Sequence, residues 1–185
     1  MVSQKSRDRY EAFLMGVHWL TLALLIAVYA LIKLRGLAPK GTALHDGMKT
    51  WHFMLGLAVF VLVYVRLGLR AAFPPPPIVP ELPRWQRSFA LAMHVVLYAF
   101  LIVMPLLGWL TLSAKGKVIP FFGLDLPPLL GSDKALARNL QNIHETIGTL
   151  GYYLIGLHVI AALFHHYVAR DNTLLRMLPG RGAAR

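Results

Sequence analysis

The sequence predicts an all-α integral membrane protein, a four-helix bundle, on three observations. Of its 185 residues 57% are hydrophobic and only 15% charged, whereas a soluble domain carries roughly 45–50% apolar and about 25% charged residues. The apolar residues fall in four long blocks, each close to the ~20 residues that carry a helix across a hydrocarbon core of about 30 Å. The stretches between blocks are too short for a second folded unit, so residues 1–185 read as one transmembrane domain.

The first span covers residues 13–32, FLMGVHWLTLALLIAVYALI. Lys5, Arg7 and Arg9 precede it, as in a signal peptide. The run is nevertheless long enough to span and lacks a following A-x-A site, so a retained first helix is expected. The second span is 51–69, the third 89–112 and the fourth 143–168. Pro105 marks a kink position in the third, where neighbouring helices can satisfy the freed carbonyl. Residues 73–85, FPPPPIVPELPRW, cannot be helical throughout and read as a stiff extended linker on the membrane surface. Residues 33–50 and 113–142 are expected as loops on the opposite face.

Positive charge orients the bundle. The face with both termini and the proline linker carries Lys5, Arg7, Arg9, Arg66, Arg70, Arg84, Arg87, Arg170, Arg176, Arg181 and Arg185. The other carries Lys33, Arg35, Lys40, Lys49, Lys115, Lys117, Lys134 and Arg138. The larger set predicts cytoplasmic termini. The smaller set still leaves an unusually basic outer face, tempered by Asp46, Asp125, Asp133 and Glu145. The net charge of +11 does not point to nucleic acid, because the basic residues lie between apolar blocks; anionic membrane lipid explains most of them. Cysteine is absent, which excludes disulfides, iron–sulfur clusters and thioether-attached haem.

The chemistry lies in the histidines. His18, His52, His94, His144, His158 and His165 fall inside the spans, His166 ends the fourth, and His45 sits in the first outer loop. Ionisable residues at membrane depth are costly and point to function. The ordinary alternative, a helix–helix hydrogen bond, suits one histidine better than several at matched depths. His144 and His158 are fourteen residues apart, hence within about 40° of one helical face and about 21 Å apart in depth. One helix thus offers an imidazole to each of two stacked cofactors. Topology supplies the partners: His52 opens the second helix level with His144, and His18 lies near the inner end of the first, level with His158. Low-spin haem b takes two such imidazoles, and a bundle core is a usual site for it. Gly56 and Gly148 each follow a proposed ligand by four residues, where a flat macrocycle needs space; small-residue helix packing explains either glycine equally well. His94 and His165 lie toward the inner end, where they fit either hydrogen bonding to a quinone or helix packing. His166 points off that face.

These residues resemble the bacterial cytochrome b561 family over nearly the whole chain. The carrying motifs are VHWLTLALLIAVYA around His18, WHFMLG around His52, MHVVLY around His94, HETIGTLGYYLIGLH with His144 and His158, and the tail HHYVARDNTLLRMLP. The arrangement is also similar to the cytochrome b subunits of membrane hydrogenases and formate dehydrogenases. The resemblance implies a protein of the bacterial inner membrane with two haems b, His18, His52, His144 and His158 being the iron ligands, that exchanges electrons with ubiquinone near His94 and His165. Compact members of the family include superoxide oxidases, and a basic outer face suits superoxide, a small anion. No side chain is assigned a catalytic role beyond these. Two other readings stay open: a haem subunit passing electrons between quinone and a docked redox partner protein, and a histidine-lined transporter.

Overall fold

The structure, a computed structural model, describes residues 10–178. Lys5, Arg7, Arg9, Arg181 and Arg185, counted above toward orientation, lie outside them. Among the described residues four helices are long and apolar enough to cross a membrane: α1 (Ala12–Leu34), α2 (Ala43–Ala72), α3 (Arg84–Ala114) and α4 (Lys134–Phe164). α1 packs on α2, α2 on α3 and α3 on α4. α1 and α4 meet through long side chains: Tyr29 donates to the Gly148 carbonyl at 2.7 Å, and its ring lies 4.4 Å from that of Tyr152. The bundle is inverted relative to a soluble one. Phe13 is 76% exposed, Phe89 72% and Tyr153 74%, as befits faces that meet lipid. A buried cluster of Val59, Val63, Phe100 and Leu101 joins α2 to α3 within the bundle.

The helices outrun the apolar blocks, so much of the two expected loops is helical. α2 begins at Ala43 because the Thr42 hydroxyl accepts the His45 N–H at 3.3 Å. His45 is therefore in the first turn of a helix, not in a loop. α4 begins at Lys134 because the Asp133 carboxylate accepts from the N–H groups of Ala135 and Leu136, at 2.8 and 3.0 Å. Such capping supports helix where hydropathy no longer does. Arg66 and Arg70, counted with the surface charge, are inside α2. Arg66 moreover bonds within the bundle, to His18 and Tyr98.

The connection from α3 to α4 contains a hairpin that hydropathy did not indicate: β1 (Ile119–Phe121) against β2 (Leu124–Leu126), antiparallel, with Ile119 opposite Leu126. Its two-residue turn places Phe122 at φ 46° and Gly123 at φ 88°. Paired positive φ values match the twist of a tight hairpin, and glycine takes the second without steric cost. Ile119 is buried with Leu57 and Leu112, tying the hairpin to α2 and to the end of α3.

At the opposite end the proline linker is pinned to the chain that follows α4. α4 passes into a π-helical turn, His165–Ala169. Arg170 then takes a left-handed conformation, φ 54°, and reverses the chain. Asn172 reads the linker backbone: its Oδ1 accepts from Val79 N–H at 2.9 Å, and its Nδ2 donates to the Pro77 carbonyl at 3.3 Å. Arg176, buried, donates to the Pro76 carbonyl. Trp19 of α1 donates to the Met177 carbonyl at 2.7 Å. The segment is thus not a plain linker but one side of a clamp.

Candidate functional site

The bundle brings the histidines into two groups, one near each end. At the hairpin end His52 of α2 and His144 of α4 face each other, with ring centroids 6.3 Å apart. At the tail end His18 of α1 and His158 of α4 are 6.4 Å apart. With a metal–nitrogen distance of about 2.0 Å and ring bonds near 1.35 Å, two imidazoles on opposite sides of one metal place their centroids about 6.3 Å apart. Both pairs have this spacing. They also have the chemistry that would hold a haem iron, whose protein ligands are neutral imidazole nitrogens.

Local bonds set which nitrogen is available. His52 Nδ1 donates to the Val28 carbonyl at 2.9 Å, which leaves the lone pair on Nε2, the nitrogen that would hold a metal. His144 Nδ1 is buried without a well-formed hydrogen bond, beside the Met104 backbone. His18 Nδ1 accepts from Arg66 Nη1 at 2.6 Å; a guanidinium only donates.

A cavity of about 420 Å³ opens beside the hairpin-end pair, within the range of cofactor sites. Gly56 and Gly148 line it together with Gly108. A Cβ on Gly56 would meet nothing within 4 Å, whereas one on Gly108 would come into van der Waals contact with His144 Cε1 at 3.5 Å. Gly108 therefore lies beside the His144 ring, a contact that spacing from the histidines along one helix did not reveal. The mouth is basic, with Lys33, Arg35, Lys49 and Lys115 lining it. Lys115 donates to Gln141 Oε1 at 2.5 Å, and Gln141 donates to Glu145 at 2.7 Å. Burial, with Lys117 close by, holds the Lys115 ammonium below its ordinary pKa. Carboxylates of a bound porphyrin suit such a rim.

The two remaining span histidines separate. His94 of α3 lies 5.7 Å from His158, and its Nδ1–H donates to the Ala90 carbonyl at 2.5 Å. Its Nε2 is then an acceptor while the ring is neutral, and a donor once the ring is protonated. His165 opens the π-helical turn, stacks on Phe164, and donates to Asp171 at 2.5 Å. Among the described residues its ring meets neither His94 nor His158. Burial raises the Asp171 carboxyl, but the polar groups of Thr173 and His165 outweigh it and hold the pKa below the ordinary value. His166 stacks on Tyr167, away from the pairs.

Arg66, which bonds to His18 within the bundle, is the charged residue that counting surface charge misplaced. The available signal was an ionised residue inside an apolar block, fourteen positions after His52.

Residues 9–180 match the family described as prokaryotic cytochrome b561. The chain is 39% identical over 174 residues to cytochrome b561 homolog 1 of Escherichia coli (strain K12), covering 94% of this chain and 99% of that protein. It is 39% identical over 171 residues to the probable superoxide oxidase CybB of Yersinia pestis, covering 92% and 96%. Cytochrome b561 homolog 2 of Escherichia coli (strain K12) is 30% identical over 176 residues, 92% of each chain. With four spans, facing imidazoles and end-to-end similarity, the chain belongs to the prokaryotic cytochrome b561 family, as a multi-pass membrane electron-transfer protein that binds haem b.

Proposed function

We propose that this protein is a superoxide:ubiquinone oxidoreductase carrying two haems b, one between His52 and His144 and one between His18 and His158. The observation that carries the reading is the pair of facing imidazoles at each end, 6.3 and 6.4 Å apart. When bound, each haem supplies a reversible one-electron carrier. Electrons enter at the hairpin end, which faces the periplasm, and leave at the tail end, which faces the cytoplasm together with both termini. The fourteen-residue interval on α4 sets the two residues that would hold the haems, His144 and His158, about 21 Å apart in depth.

The chain's own residues supply binding and steering. Lys33, Arg35, Lys49 and Lys115 at the cavity mouth draw a small anion toward His52 and His144. Each superoxide gives up one electron and departs as dioxygen. Two such electrons, with two protons, convert one ubiquinone to ubiquinol. His94 beside His158 takes a proton at Nε2 and returns it to the reduced quinone; His165, oriented by Asp171, is the second quinone contact. The name of the Yersinia pestis relative supports superoxide as the donor. The basic mouth also suits an acidic redox protein, the alternative donor, which a stoichiometric copurifying partner would favour.

The test is one set of measurements on the purified protein. A pyridine-haemochrome assay is expected to give about two haems per chain, and pulsed superoxide to reduce them, with added ubiquinone reoxidising them. His52→Ala should remove mainly one haem and His18→Ala the other. A ratio near one refutes the pairing; haems that superoxide cannot reduce refute the donor.

A further inference from the structure

Arg66 repeats on α2 the register that the histidines keep on α4. It follows His52 by fourteen residues, the interval between His144 and His158. Fourteen helical residues make nearly four turns, so Arg66 returns to the face of His52 about 21 Å further along the bundle. Where α4 presents its second imidazole, α2 presents a guanidinium. Its Nη1 lies 2.6 Å from His18 Nδ1, and its Nε donates to the Tyr98 hydroxyl at 3.1 Å. The guanidinium is also 5.8 Å from the centre of the Tyr98 ring. Among the described residues no carboxylate lies within ion-pair distance of it. A charge at this depth is costly to hold and needs a reason to be there. It is also poorly screened, so it acts strongly on its neighbours.

We propose that Arg66 is a positioning residue whose charge raises the reduction potential of the tail-end haem, making that end the electron sink. The proposal rests on reading His18 and His158 as that haem's ligands. Reduction adds one negative charge between these imidazoles, and a fixed cation beside one of them favours the reduced form. When Nε2 of His18 is committed to iron, Nδ1 takes up the ring proton and no longer accepts from Arg66. The Tyr98 hydroxyl then keeps the guanidinium at the same depth. Electrons entering beside His52 and His144 therefore run downhill toward the quinone end.

The test is a spectroelectrochemical titration of the haem-loaded protein, with the tail-end component identified as the one lost in His18→Ala. Arg66→Gln should lower that component's potential by at least about 59 mV, tenfold in the reduced-to-oxidised ratio for one electron, and leave the other component nearly unchanged. Arg66→Lys, which keeps the charge, should stay close to wild type. Tyr98→Phe, which frees the guanidinium to move, should give a smaller fall, and it supplies the readout should Arg66→Gln fail to retain the haem. An unchanged or raised potential in Arg66→Gln, or in Tyr98→Phe where that is the readout, overturns the proposal, as does an equal fall in the lysine and glutamine variants. A wild-type ratio of one haem per chain instead sinks the ligand pairing, which separates the two failures.

Discussion

Gly151 is where α4 comes closest to the aromatic residues between the two histidine groups, and adding one methyl group there should be costly. A Cβ at this position would collide with the Tyr29 hydroxyl and the Phe100 ring, with Phe100 Cε2 at 2.7 Å. Neither neighbour is free to retreat. Tyr29 is held by its bond to the Gly148 carbonyl and its contact with Tyr152. Phe100 is buried against Val59, Val63 and Leu101. Replacing a helical glycine by alanine should by itself stabilise the helix by ~1 kcal/mol. Overpacking costs ~1–3 kcal/mol, and losing the Tyr29 bond a further ~1 kcal/mol. The net effect expected for Gly151→Ala is a loss of ~1–3 kcal/mol. A chain of this length then melts roughly 2–10 °C lower. Thermal unfolding in detergent, followed by circular dichroism, measures it. Tyr29→Phe removes the colliding oxygen, so the double variant should lose less than the two single losses added together. A Gly151→Ala protein as stable as wild type would refute this account of the packing.

Three further outcomes are expected. His94→Ala and His165→Ala should slow ubiquinone reduction in stopped-flow traces while both haems stay bound; normal kinetics in both variants would move the quinone site elsewhere. Changing Lys115 and Lys117 to Glu should slow haem reduction by superoxide and flatten its salt dependence, since the Debye length falls from about 30 Å at 0.01 M to about 10 Å at 0.1 M; an uncharged reductant should show neither response. At the clamp, Asp171→Asn should cost ~1–3 kcal/mol at neutral pH, because a buried, bonded carboxylate is replaced. The Asp171 pKa is held down in the folded state, so its contribution is present above its unfolded value of about 3.9 and lost as pH falls below it. Acid melts should show that loss in wild type and not in Asp171→Asn.

Hydropathy and helical period were enough to read four spans, and histidine intervals enough to read two depths, because a bilayer imposes one length and a helix one rise per residue. The pairs His18 with His158 and His52 with His144 were legible for the same reason: helices that alternate in direction fix the depth of each histidine, and residues at equal depth on different helices can face one another. Hydropathy could not show how far the helices continue into water, since Thr42 and Asp133 extend α2 and α4 by hydrogen bonding rather than apolarity. Only the tertiary structure decided contacts between residues far apart in the chain. It brings Arg66 to His18 and Tyr98, sets Gly108 under His144, closes Asn172 on the proline linker, and turns His165 toward Asp171 rather than His94. Each of these depends on how a helix is rotated against its neighbour or on where a chain reverses. Sequence intervals along a single helix carry neither.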